Sequence, residues 1–255
     1  MKYTGLALWL KTDLGILLAA AATLTPSTLL FAAQNPDSTF ADSAAAGVRL
    51  AKTIVDTAVW DTASAGPCQR QKDTVCLRNL RDAFVPKIAS ARAYLDAGLA
   101  SQDSTIWLAA AQVALSGGSK LAHAGAYDRA AAWLDELVTD LVHDSSGRLS
   151  FDTQQIRVQA SFWFGVSTAL SLGPIYAQLV KARSCTEQKA LNDRLKDRIA
   201  RAMEALNVGE SVAPQVAGQM RSILLQYLSA LNRDEPGINC HRSKWGLSRV
   251  SIRRS

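Results

Sequence analysis

An all-α fold is predicted, with seven or eight helices after an N-terminal signal, arranged as a bundle or as stacked helical hairpins. Three features of the 255-residue sequence predict it. Apolar side chains recur at steps of three and four from about residue 38 onward, Gly, Pro and Ser clusters punctuate them at short intervals, and strand-like alternation is hard to find. The composition, 48% hydrophobic and 20% charged, excludes a disordered, collagen-like or disulfide-dense class.

The elements follow in order. An Ala-rich helix over about 38–63 sets Val48, Ala51, Val55 and Ala58 on one side and is expected to stop before Gly66-Pro67. Leu77, Leu80, Phe84, Ile88, Ala91, Leu95 and Leu99 form a single stripe. Asp73 or Thr74 caps its start, and Pro86 should kink or divide it. Asp103 or Ser104 caps a short helix, TIWLAAAQVAL, expected to end at Gly117-Gly118. Tyr127, Ala130, Leu134, Leu137 and Leu141 mark the next, which runs into a turn at HDSSG. A long apolar stretch from Thr153 to Lys181 is expected to break at Gly173-Pro174. Thr186 to Leu206 is strongly charged with Leu191, Leu195, Ile199 and Met203 inside, and Val216, Met220, Ile223, Tyr227 and Leu231 mark a last helix with Pro214 in its first turn.

Connections this short join antiparallel neighbours. The segment LAHAGAYDRAAAWLDEL resembles the second half of a tetratricopeptide repeat, in which Gly125, Tyr127 and Ala130 set close packing of two helices. The resemblance does not recur at the 34-residue period of a true array, so it implies hairpin packing and no function.

Charge divides the chain into three parts. Residues 1–33 hold Lys2, Lys11 and Asp13, followed from Leu14 to Ala33 by a run without charge, the order of a secretory signal peptide. Phe31 stands where a small residue is preferred for cleavage after Ala33, and the run is long enough for an uncleaved membrane anchor. Residues 34–240, the helical domain, are neutral overall, and residues 241–255 form a basic C-terminal tail that carries most of the net charge of +6. A neutral body offers no clustered Lys and Arg to displace counterions from nucleic acid, so no nucleic-acid partner is expected.

Four cysteines allow three pairings. Cys68 and Cys76 are local. If the last two helices form an antiparallel hairpin, Cys240 returns beside Cys185, so the expected bonds are Cys68–Cys76 and Cys185–Cys240. Disulfides persist in oxidising compartments, which agrees with the export signal and a periplasmic or secreted protein, or one anchored with its helical domain outside the cytoplasm. The longer loop would constrain the unfolded chain by roughly 4 kcal/mol. The cysteines lack C-x-x-C spacing and His123, His143 and His241 form no helical pair, so neither metal nor other cofactor is expected.

No catalytic motif is visible: there is no G-x-S-x-G, phosphate loop, H-E-x-x-H or dinucleotide fingerprint. Among five glutamates Glu136 is the first acid-base candidate, with Asp135 and Asp140 on its helix and Trp133 close, although DELVTD reads more simply as a solvated face. His143, before Asp144, Ser145 and Ser146, is the other, although neighbours in sequence rarely converge on one reacting atom and the segment also reads as a helix end. Trp60, Trp107, Trp133 and Trp163 sit within apolar helical patterns and are expected in the core.

The tail asks for a partner. Arg242, Lys244, Arg249, Arg253 and Arg254 interleave with Trp245, Leu247, Val250 and Ile252, a pattern suited to an acidic protein or an anionic surface such as lipid phosphates. The functional expectation is an exported protein acting by protein-protein binding, as an accessory or scaffold subunit of the cell envelope. An envelope hydrolase acting on polymer or lipid and an immunity or sequestering protein are the alternatives.

Overall fold

The computed structural model describes residues 39–143, 151–182 and 184–233. These form helices only: α1 (Thr39–Thr57), α2 (Thr62–Arg70), α3 (Thr74–Ala89), α4 (Arg92–Leu99), α5 (Ser104–His123), α6 (Tyr127–His143), α7 (Phe151–Lys181), α8 (Cys185–Val208) and α9 (Pro214–Arg233). The predicted all-α class and hairpin packing are therefore correct. Because α3 and α4 share the one apolar stripe read from the sequence, the nine segments correspond to eight helical units.

Local chemistry sets many of the boundaries. Asp61, Asp73 and Asp103 each accept hydrogen bonds from exposed backbone N–H groups at the start of the following helix, and Ser184 does the same for α8. The helix ends of α2 and α5 are matched: Lys72 and Gly125 take left-handed φ values of 56° and 72°. In each, the next residue's N–H reaches back to a carbonyl in the last turn, Asp73 to Cys68 and Ala126 to Leu121.

The helices stack in two rows. Helix α1 packs against α4 and α5, α5 against α6 and α7, and α7 against α6, α8 and α9. One row therefore runs α1, α5, α7, α9, and the second holds α4, α6 and α8 between them, while α2 and α3 form a side hairpin reaching α1 and α5 through α3. Enclosure by neighbours from both rows explains α7, where every residue from Ala160 to Ala169 is buried. Such a helix needs small side chains, and Ser161, Gly165, Ser167 and Thr168 supply them.

Close approach occurs at glycines. A Cβ on Gly118 would lie 2.5 Å from the Leu134 side chain, and one on Gly165 2.5 Å from Leu206. At Gly209 it would meet backbone, 2.5 Å from the Phe162 nitrogen and 2.6 Å from its Cα. The pair Gly117-Gly118, expected to end a helix, lies inside α5 instead: the missing side chains admit Trp133 and Leu134 of α6, and that packing outweighs the weak helix propensity of glycine.

Three further boundaries differ from expectation. The first helix ends at Thr57, and Gly66-Pro67 falls within α2, where Asp61 starts a new helix before the proline can act as a stop. Pro86 lies inside α3, and the division from α4 comes later, at Ser90 and Ala91. Helix α7 continues through Gly173-Pro174, because Pro174 stands on an exposed side and packing along the rest of the helix holds its course.

Helix α1 is finished by another helix. The ammonium of Lys120 on α5 donates to the carbonyls of Val55 at 2.6 Å, Ala58 at 3.1 Å and Asp56 at 3.3 Å, taking up acceptors that an isolated helix end would leave to water. Burial pushes its pKa below the usual 10.5, with the Asp56 carboxylate opposing and Lys52 adding to the shift.

Two predictions follow from this packing. Gly209→Ala forces α7 and α8 apart and lowers the unfolding free energy in urea by about 2–3 kcal/mol. Lys120→Met strands the α1 carbonyls and costs about 1–3 kcal/mol. The folded form holds the Lys120 proton less tightly than the unfolded chain, so this residue's contribution rises with pH as the lowered pKa is passed on the way to 10.5. NMR titration of the Lys120 side chain should give a midpoint below those of the exposed lysines.

Candidate functional site

The residues singled out from the sequence are dispersed. Glu136 is 71% exposed on α6 and paired with Arg92 of α4. That guanidinium also donates to the Trp133 carbonyl at 3.1 Å and lies 5.6 Å from the centre of the Trp133 ring. Asp135 serves another contact: it pairs with Arg201 of α8, which donates to Thr139 as well and covers the Phe164 ring. Thus Glu136 belongs to a clamp between α4 and α6, and Asp135 to one between α6 and α8. His143 ends α6 and its side chain lies outside the described residues, as does that of Asp140.

The four tryptophans pack as follows. Trp133 and Trp163 are buried, and Trp60 and Trp107 are partly buried against the core. Trp133 donates from Nε1 to the Ala114 carbonyl at 2.8 Å, and Trp60 meets Phe84 edge-on at 5.6 Å.

Cys68 and Cys76 form the expected disulfide with Cα atoms 5.9 Å apart, bracing the turn between α2 and α3. Cys185 opens α8 and is disulfide-bonded, while Cys240, its expected partner, lies outside the described residues. So do the tail residues Arg242, Lys244, Trp245, Arg249, Arg253 and Arg254, and the apolar run of residues 14–33. Among the described residues no helix is long and apolar enough to cross a membrane, and no group of three or more His, Cys, Asp or Glu is placed to hold a metal ion.

The shifted titratable groups have structural causes. Hydrogen bonds from Ser64 lower the Asp61 carboxyl, and Arg221 lowers that of Glu210. Burial raises the phenols of Tyr127 and Tyr227, with Arg81 opposing the shift at Tyr127.

Charge is divided unevenly among the helices. In the second row, α6 carries Asp128, Arg129, Asp135, Glu136 and Asp140, and α8 carries Glu187, Lys189, Asp193, Arg194, Lys196, Asp197, Arg198, Arg201 and Glu204. In the first row α5 has Lys120 as its one Asp, Glu, Lys or Arg residue, and that ammonium is turned onto α1. Helix α9 has only Arg221, held by Asn207 and Glu210, and the terminal Arg233.

Amides and hydroxyls recur on one side of each of α5, α7 and α9. On α5, opposite the glycines that face α6, Gln112, Ser116, Ser119 and His123 follow at helical spacing. On α7, Gln155 and Gln159 precede Trp163, which lies on the side turned from the Gly165 contact with α8. On α9, Gln215, Gln219 and Gln226 occupy the flank away from Arg221 and α8, and all three are exposed. The rings of His123 and Trp163 meet at 4.8 Å and join the stripes of α5 and α7. His123 Nδ1 donates to the Ser119 carbonyl at 2.7 Å, which fixes the ring against Trp163. Sequence reading did not remark how poor in charge α5 and α9 are, which a helix-by-helix census of Asp, Glu, Lys and Arg finds.

Glu136 is itself well solvated, and Arg92 keeps Asp96 and the Trp133 carbonyl without it, so Glu136→Gln should change the unfolding free energy by less than about 1 kcal/mol. Comparison with protein-family models, with curated proteins and with solved structures finds no match.

Proposed function

We propose that the chain is an exported, disulfide-braced stack of helical hairpins that acts by holding another protein, as an accessory or scaffold subunit of the cell envelope. The observation that carries this reading is the uneven division of charge within the stack: α5 and α9 together hold three Asp, Glu, Lys or Arg residues, Lys120, Arg221 and Arg233, while α8 alone holds nine. A surface low in charge suits protein contact, where charged groups at an interface centre must be desolvated. The residue 14–33 run, following Lys2 and Lys11, supports export, and the Cys68–Cys76 bond suits an oxidising compartment. The basic tail, from Arg242 to Arg254, adds a contact for an acidic protein or for lipid phosphates.

Two measurements test it. Non-reducing peptide mapping of chain recovered from its native compartment should find Cys68 joined to Cys76 and Cys185 to Cys240; four free thiols would remove both the compartment and the role. Deleting residues 243–255 should reduce association with membranes or partner at low salt and leave thermal stability unchanged. Association that persists undiminished would show the tail to be dispensable.

A further inference from the structure

Resting on the reading above for the tail, we propose that one end of the stack, with the basic tail tethered to it, is a docking site for anionic phospholipid headgroups. Three helix ends meet there. Early in α8, Gln188 Nε2 donates to the carbonyl of Ala182, just past α7, at 2.8 Å. The rings of Tyr176 and Tyr227 lie 5.6 Å apart, and a Cβ on Gly173 would stand 3.4 Å from the Tyr227 hydroxyl, so α7 and α9 run side by side. Helix α9 then finishes six residues later, at Arg233.

Charge gathers at this end. Residues 181–189 and 233–255 hold nine Lys and Arg against Glu187, Asp234 and Glu235, a net +6 that equals that of the entire chain. Lys181 and Lys189 are exposed and have no ion-pair partner among the described residues. Cys185 supplies the tether: it is disulfide-bonded, and since Cys68 takes Cys76, Cys240 is the one cysteine of the four left to it. The seven residues from Arg233 to Cys240 can span about 24 Å, ample to cross from α9 to the adjoining α8. Lys189 stands four residues on from Cys185, on the same side of α8, so the tail starts beside this ammonium.

Apolar groups among these cations favour lipid over an acidic protein. Val180, next to Lys181, is 69% exposed, and Trp245, Leu247, Val250 and Ile252 interleave with the tail's cations. A bilayer surface takes both kinds of group, phosphates meeting the cations and the acyl boundary receiving the apolar side chains. The tether joins body and tail into one site, because once either set of cations is engaged the other binds at high effective concentration.

The test sediments the full chain, disulfides intact, with vesicles of phosphatidylcholine alone and with vesicles holding about one-third phosphatidylglycerol. Binding to the neutral vesicles is the baseline and includes any contribution of the residue 14–33 run. The expected result is at least about tenfold tighter binding to the anionic vesicles, a gain lost as salt is raised. Lys181→Gln with Lys189→Gln should cut that gain about threefold or more with the tail untouched, and Cys185→Ser with Cys240→Ser should do so with every cation present. An unchanged thermal melt of the exposed lysine pair shows that it acts on binding and not on folding. Arg49→Gln and Arg78→Gln, at exposed sites on α1 and α3, should leave binding as it was.

Full-strength binding by the folded lysine and cysteine variants, lost only on deletion of residues 243–255, would overturn this site and assign the contact to the tail alone. Equal binding to both vesicles, or polyglutamate held more tightly than the anionic vesicles, would overturn lipid as the partner. Neither result touches the scaffold reading, which falls if crosslinking in cells joins the chain to no protein.

Discussion

The two-row arrangement depends on how closely α7 admits the helices around it. Its middle turns meet neighbours on every side, and such enclosure is possible only where side chains are absent or short. Gly165 lets Leu206 of α8 reach the helix surface, and Gly209 rests directly on the Phe162 backbone. Once α7 is fixed by these contacts, α6 and α8 flank it in one row, and α5 and α9 flank it in the other. The same economy of volume recurs where Gly117 and Gly118 receive Trp133 and Leu134. The cost is visible in α7, where the hydroxyls of Ser161, Ser167 and Thr168 are buried without a hydrogen-bond partner among the described residues.

Electrostatics follows from the rows. Helices of the second row meet their neighbours through long ion-pairing side chains, as when Arg201 spans from α8 to Asp135 on α6, or Arg92 from α4 to Glu136. These clamps are half-buried at their arginines, and they fix which side of α6 faces each neighbour. In the first row, α5 and α9 pack by small and apolar residues and carry few charges, while α1 keeps an exposed Lys52–Asp56 pair. The segregation of charge is therefore a by-product of two packing styles as well as a surface property.

Most of the fold was legible in the sequence because helical spacing of apolar residues reports burial directly. Asp73, Asp103 and Pro214 stand where the capping rules place them, and the eight-residue spacing of Cys68 and Cys76 led to the correct local bond. Glycine and proline misled for one reason. Gly117-Gly118 and Gly173-Pro174 read as stops when only local propensity is weighed, yet tertiary contacts reward a missing side chain or tolerate a missing donor. Glu136 was picked for its neighbours in sequence. Placing it on the solvent side of α6 requires knowing that Asp135 and Trp133 point to different partners. The low charge of α5 and α9 escaped notice because it shows only when whole helices are compared.

The tie between Lys120 and the last turn of α1 has a consequence for the order of assembly. The residues it joins, Val55 and Lys120, are 65 apart in the chain, so the carbonyls of Val55, Asp56 and Ala58 gain this partner only once α5 has been made and has docked. Until then the last turn of α1 has its own Thr57 hydroxyl on the Thr53 and Ile54 carbonyls, and its completion is deferred to a contact of long range.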